Sequence, residues 1–512
     1  MTNTADTFEK WTDDIEKARV ALGVYGMSVA VVHKNKIVYA QGFGKRNDTD
    51  PFIPETVSQI GSMTKAFTAV AVGELVAEGK AKWDVPVSEY LPEFQLKDPR
   101  LTAEINFVDL LAHRTGLPRR DLDWIRRSAS RMELIRLLKY VEPEAPLRTE
   151  CLYNNFMYAV AGEAASRIAG TSYEEVVLSK VLRPLEMKDS GFSLGEMVTI
   201  HPNHALPYIS KSLEDAQEGK AVRSPLDPIP PAQAPAGDIY SNVIDMAKWC
   251  KAIMHEGRLD DKQVLHKETV SKVTTAWNLM TRSPDDLDFS LTAYGLGWEI
   301  QHYKGHLSWR HAGGTFGYRS NMALFPQEDL AVVILTNNIH NGLSDVIANY
   351  FADSILNLPT TKDWLTDVAM TATKRAYDFM GSEDPAFTEF FFPTQVKDKS
   401  ASRPLKDFAG EYTEPFGPEL TISLDTTNQK DGDGKGDSLF FKLTIWEGTL
   451  EHYHYDSFRI RIHDGVLHTN MLLNFIAGDD GSIHQCRILR GDGSFMYTKK
   501  DSTDTSALSK EE

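Results

Sequence analysis

Cysteine is scarce in this chain, with Cys151, Cys250 and Cys486 alone among 512 residues, far apart and without a C-x-x-C pair. That excludes a disulfide framework and a thiolate metal site. Basic charge is in deficit too, since Asp and Glu outnumber Lys and Arg by 72 to 55 and the net charge is −17. Such a balance repels phosphate backbones and anionic lipid, so nucleic acid is not an expected partner. No uncharged run of eighteen apolar residues exists to span a membrane. The first residues, MTNTADTFEKWTDDIEKARV, are acidic and amphipathic rather than a signal peptide, so the expected location is cytoplasmic. G-x-S-x-G, H-E-x-x-H and Walker patterns are all missing.

What is present suggests two domains, as the length alone favours. Residues 6–22 read as a helix, and Gly26–His33 and Lys36–Gly42 as a hairpin turning at Lys34-Asn35. A long helix starts near Ser62 and stops at Gly79; helical periodicity then fills 104–190. Residues 200–238 form a proline-rich loop suited to bordering a site, and strand signals return at YGLGWEI, GYRSNMALF and LAVVILTN before a helix at 343–357. Strands at both ends with helices between predict an α+β domain over 1–360, with one antiparallel sheet, flanking helices and a helical subdomain. Residues 361–404 read as a linker, 405–500 as eight short strands of a small antiparallel barrel or sandwich, and 501–512 as a disordered tail. The tip TTNQKDGDGKGD falls short of a calcium loop, because Lys435 and Lys442 stand where ligands belong.

Chemistry concentrates in three segments. Ser62-Met63-Thr64-Lys65 opens the apolar helix, and no other serine has a lysine three residues on. Residues three apart share a helix face, so the Lys65 amine can take the proton of Ser62. Tyr153-Asn154-Asn155 then supplies a phenol and an amide. An adjacent ammonium would ease loss of the phenolic proton, making Tyr153 a candidate base. Asn155 can hold Lys65 and a substrate carbonyl together. Tyr240-Ser241-Asn242 repeats the spacing but suits a pocket wall. His311-Ala312-Gly313-Gly314 is the third segment: its small residues let substrate lie along a strand edge, and the Gly314 N–H could join that of Ser62 as an oxyanion hole. His452 and His454, like His201 and His204, lack a third ligand, so neither metal nor other cofactor is expected.

In this order S-x-x-K, Y-x-N and H-x-G resemble the signature of the serine β-lactamase and penicillin-binding superfamily. Y-x-N is similar to its class C (peptidase S12-like) branch, as are INFVDLLAHRTGLP and AGEAASRIAGTSYEEVVLSKVLRPLEMKDSGF; the likeness covers about 20–357. The segment from LKDFAGEYTEPFGPELTI resembles the lipocalin-like module appended to some members. The resemblance implies a serine hydrolase forming an acyl-enzyme on an ester or amide. Ser62 would attack, Lys65 and Tyr153 move protons, Asn155 orient, and His311, Gly313 and Gly314 line the substrate edge. An acyltransferase using the same residues and a catalytically silent ligand-binding scaffold are the rival readings. The partner is a small molecule or peptide; assembly into homo-oligomers stays open. Glu186 replaces the glycine of "P-L-G-M", and His311 replaces the lysine typical of true β-lactamases. Arg310 and Arg319 could supply the missing charge, but on a strand Arg310 should face away from His311.

Overall fold

The computed structural model describes residues 4–124, 128–280, 288–381, 393–425, 438–444, 446–462, 471–490 and 493–500. The acidic tip 426–437, His463 and the tail 501–512 lie outside the described residues. The chain divides after Ala376 into two compact units.

An eight-stranded antiparallel sheet organises the first unit. Its order is Asn278–Leu279, Phe289–Tyr294, Glu299–Tyr303, His306–Thr315, Tyr318–Phe325, Leu330–Thr336, Gly26–His33 and Lys36–Gly44. The two ends of the unit meet in its sixth and seventh strands, where Val29 pairs with Ile334. Lys34 and Asn35 turn the first hairpin with φ of 52° and 59°, the double positive that a tight two-residue turn requires. Met27, Val29 and Val31 alternate onto one face with Val332 and Ile334, and helices Thr4–Ala21 and Leu343–Leu356 cover that face through Trp11, Ile15, Ile347 and Phe351. Helix Val243–Met254 packs on the opposite face. Behind it lies helix Thr64–Ala77, buried from Thr64 to Leu75. A helix with no polar face is one that other elements surround, and that enclosure fixes where its first turn sits.

The expected elements are present with local differences. YGLGWEI is not one strand, because Gly297 turns the chain at φ +78° between Tyr294 and Glu299. HAGGT, which carried no strand signal, is the end of strand His306–Thr315. In the stretch read as a linker, a helical segment occupies Trp364–Gly381, and Trp364, Leu365 and Ala369 pack in the first unit's core. Val396 gives its N–H to His454 Nδ1 at 3.0 Å, and Ser402 its N–H to Asp456 at 2.8 Å, tying 396–402 to the second unit. Among the described residues no helix is long and apolar enough to cross a membrane.

The second unit is a closed eight-stranded antiparallel barrel running from Gly410–Thr413 to Gly493–Lys499. Closure leaves no strand edge. Phe408, Tyr412, Phe458 and Phe475 are buried and pack ring against ring, Phe408 and Phe475 at 4.7 Å, as a barrel this narrow demands. SLFFKLTIW is two strands rather than one: Thr444 has φ 59°, and Trp446 turns back to pair with Leu443.

Asp353 fastens the Trp364 segment to the sheet. Its carboxylate accepts from Tyr303 Oη at 2.7 Å, Lys304 Nζ at 2.8 and 2.9 Å and Trp364 Nε1 at 2.9 Å. Asp353→Ala would strand the Lys304 ammonium, whose side chain is 9% exposed. We expect a loss of about 3–5 kcal/mol in urea unfolding; a loss under about 1 kcal/mol would mean that Lys304 reaches water instead.

Candidate active site

The first turn of the buried helix is aimed by backbone contact. Gly61 adopts φ +52°, and a Cβ there would stand 2.6 Å from Gly314 N; a Cβ on Gly313 would stand 2.0 Å from Ile60 O. Only glycines let the 60–62 turn lie on strand His306–Thr315 this closely. Ser320 Oγ donates to Ile60 O at 2.7 Å and fixes the same turn. Ser62 is thereby brought beside Gly314. Strand Glu299–Tyr303 pairs with its neighbour only as far as Arg310, so 311–315 keep a free edge on that side.

Lys65 lies one turn on, fully buried, with Nζ 3.0 Å from Ser62 Oγ and donating to Ala236 O at 2.8 Å. Burial holds its pKa well below the usual lysine value; the Arg119 guanidinium acts in the same direction and Asp121 opposes. A neutral amine has a lone pair for the Ser62 O–H, and the Ala236 carbonyl occupies one of its N–H groups. Ala236 lies in the short helix Ala234–Gly237 near the end of the 200–238 stretch, which holds further short elements rather than being all loop and which borders the site.

Tyr153 is set from both sides by His113, whose carbonyl accepts from Leu152 N at 2.9 Å and whose Nδ1 accepts from Asn154 N at 3.1 Å. The two rings lie 4.3 Å apart. The Tyr153 phenol shares a hydrogen bond with Ser62, and Lys65 Nζ stands 4.8 Å from its ring centre. Burial pushes the phenol above its ordinary value, and the Ser62 bond only partly offsets this. Burial thus favours the neutral amine and the protonated phenol, which runs against the expectation that an ammonium draws the proton off Tyr153. Asn155 gives its amide N–H to Asp121 Oδ1 at 2.8 Å. Tyr240 is elsewhere, donating to Glu196 at 2.7 Å, while Asn242 caps the next helix.

His311 is 2% exposed. Its Nδ1–H donates to Ala312 O at 2.6 Å, so in the neutral ring Nε2 accepts from Tyr294 Oη at 2.8 Å. Tyr294, rather than Tyr153 or a substrate oxygen, takes that nitrogen. Burial and nearby Lys65 press its pKa down to about 3, so no charge stands beside Gly313 and Gly314 at neutral pH. Nor do the neighbouring arginines supply one. Arg310 points away as expected, its guanidinium 5.4 Å from the rings of Phe289 and Phe325 and 5.5 Å from that of Tyr303. Arg319 is held by both oxygens of Asp345.

Sequence reasoning missed Tyr294, His113, Arg119 and Ala236 as site residues. His113 lies within the quoted INFVDLLAHRTGLP, so a signal existed; the others arrive only through tertiary folding.

Fold and site together define a serine hydrolase of the β-lactamase/transpeptidase type. The β-lactamase family profile matches residues 12–357, and the chain belongs to that family. A profile described as a domain of unknown function, DUF3471, matches 394–501. A protein named unguisins hydrolase ungD' from Aspergillus campestris is 29% identical over 423 residues, 78% of this chain and 74% of its own length. A β-lactamase of Escherichia coli K12 is 26% identical over 61% of this chain and 84% of its own. Among solved structures, an octameric penicillin-binding protein homologue from Pyrococcus abyssi superposes with TM-score 0.59 at 22% identity, over 96% of this chain and 99% of that one.

Beneath the site, Thr315 Oγ1 donates to Gln59 Oε1 at 3.1 Å, and Gln59 Nε2 donates to Asp238 at 3.4 Å. Burial, reinforced by Glu174, raises the Asp238 carboxyl from 3.8 to about 8. The folded state thus holds a proton that the unfolded chain gives up. The associated stability is complete below pH 3.8 and lost as pH rises toward about 8. Asp238→Asn should therefore narrow the fall in Tm between pH 5 and pH 8. An unchanged fall would place the titration in another group.

Proposed function

We propose that this protein hydrolyses small esters or uncharged amides through an acyl-enzyme on Ser62. The observation that carries the reading is the fully buried Lys65, 3.0 Å from Ser62 Oγ, with its pKa depressed so that the amine is free to accept a proton. Lys65 takes the Ser62 proton as Oγ attacks the carbonyl carbon. Ser62 N–H and Gly314 N–H stabilise the oxyanion. Tyr153, kept protonated, relays a proton to the leaving group, and the Lys65 ammonium restores it. The same residues activate water for deacylation. Asn155 orients the acyl carbonyl. The named relative that acts on unguisins is a hydrolase, which fits this reaction class.

Ser62→Ala should abolish labelling by a fluorophosphonate probe and lower turnover by at least about a thousandfold, with folding intact. In the wild type, kcat/KM should fall on acidification as Lys65 gains its proton. It should stay level on the basic side through pH 9, because Tyr153 titrates above its ordinary 10.0. A basic limb near neutrality would remove Tyr153 from this role.

The neutral His311 decides against substrates that need a cation at the strand edge. Esters such as p-nitrophenyl acetate and butyrate should be turned over with a higher specificity constant than nitrocefin, whose carboxylate finds no charge there. His311→Lys should move that ratio toward nitrocefin. A wild-type preference for nitrocefin over both esters would overturn the assignment.

A further inference from the structure

His113 takes a backbone conformation that side chains seldom adopt, with φ of 55°, and it is fully buried. Contacts at both its carbonyl and its ring hold it there. The carbonyl accepts from Leu152 N at 2.9 Å and from Asn278 Nδ2 at 3.3 Å, and Nδ1 accepts from Asn154 N at 3.1 Å. A ring nitrogen that accepts carries no proton, so in the neutral imidazole the proton sits on Nε2. That is the opposite tautomer to His311, whose Nδ1 donates. Nε2 is buried and has no hydrogen-bond partner among the described residues. The ring meets aromatic rings instead, with centres 4.3 Å away at Tyr153, 4.6 Å at Tyr294 and 5.3 Å at Tyr158. With Nδ1 committed to a backbone N–H and Nε2 unpartnered, this histidine has no group with which to exchange a proton. Its working atom is Nδ1.

We infer that His113 is a positioning residue for leaving-group protonation: its Nδ1 fixes the Asn154 N–H, and through it the Tyr153 phenol, without itself moving a proton. The inference rests on the acyl-enzyme reading above. Asn154 is 1% exposed and caps helix Asn155–Ala169, its Oδ1 accepting from Met157 N at 3.4 Å. Its Nδ2 donates to Leu117 O at 3.2 Å and Pro118 O at 2.6 Å. The side chain is thus occupied, and the backbone N–H goes to His113. Without an acceptor at that point a buried N–H would stand unpaired, so the 152–154 turn would shift to relieve it. Tyr153 lies between the two N–H groups that His113 holds, and a shift there displaces the phenol. In acylation the bond from the carbonyl carbon to the leaving atom breaks, its electron pair passes to that atom, and the Tyr153 proton joins it. A p-nitrophenoxide departs as a stable anion and needs no such proton, whereas an ethoxide does. The role of His113 is therefore specific to poor leaving groups.

The test compares kcat/KM for p-nitrophenyl butyrate and ethyl butyrate, which share an acyl group. Asparagine places an oxygen where histidine has Nδ1 and tolerates the left-handed φ; glutamine places its oxygen where histidine has Nε2. In His113→Gln the ratio of the first ester to the second should rise at least tenfold over wild type, as it should in Tyr153→Phe. His113→Asn should stay within threefold of wild type. Adding His113→Gln to Tyr153→Phe should raise the ratio no further, because one residue acts through the other. An unmoved ratio in His113→Gln, an asparagine variant as impaired as the glutamine one, or two effects that multiply overturns the inference. A second measurement needs no glutamine variant. In ¹⁵N NMR of histidine-labelled wild type, the ring whose signals vanish in His113→Asn should carry its proton on Nε2 and none on Nδ1 at neutral pH. A protonated Nδ1 overturns the inference even where His113→Gln does not fold. Failure of a fluorophosphonate to label Ser62 in the wild type would reject the acyl-enzyme reading instead, while the tautomer still reports whether His113 holds Asn154.

Discussion

A lysine with no access to water is the constraint around which this site is built. Moving an ammonium into an apolar helix interior is costly, and the cheaper outcome is to shed the proton. The groups around Lys65 suit the neutral form: a carbonyl at Ala236, a hydroxyl at Ser62 and the aromatic faces of Tyr153 and Tyr158. The uniformly apolar helix that carries it, unusual as a surface pattern, is thereby explained as the device that withholds solvent from one nitrogen.

The same low-dielectric surroundings act on neighbouring groups in opposite senses, because burial penalises whichever form is charged. Burial presses the amine of Lys65 and the imidazoles of His113 and His311 below their ordinary values and the phenol of Tyr153 above its own, in each case favouring the neutral form. The arginines nearby are each engaged: Arg310 is wrapped in rings on the far face, Arg319 belongs to Asp345, and Arg119 is paired with Asp121.

Much of this could be read before any coordinates were known. Ser62 and Lys65 are joined by helix geometry, which a spacing of three encodes directly, and Tyr153 follows from a short motif at a helix start. Contacts made by distant segments were not legible. Tyr294 reaches His311 only because a turn at Gly297 folds two strands together, and Ala236 reaches Lys65 only because a long loop returns to the helix. His311-Ala312-Gly313-Gly314 hid its strand character because glycines carry no β-branched signal, yet close backbone approach is what they serve there. Segment 364–369 read only as part of the linker; the core that Trp364, Leu365 and Ala369 join is set by tertiary contact, which spacing does not encode.

The sheet described above has a consequence for how the protein is made. Strand Gly26–His33 finds its partner in Leu330–Thr336, with Val29 opposite Ile334. A pairing so remote in sequence means high contact order and a large loop-closure penalty before any gain. On a ribosome adding ~5–20 residues per second, the first hairpin emerges about 15–60 s ahead of the strand that completes it. For that interval Gly26–His33, seven of whose eight residues end up buried, presents an open apolar edge. The segment that carries Ser62 is thus synthesised early, while the sheet it packs against is completed late.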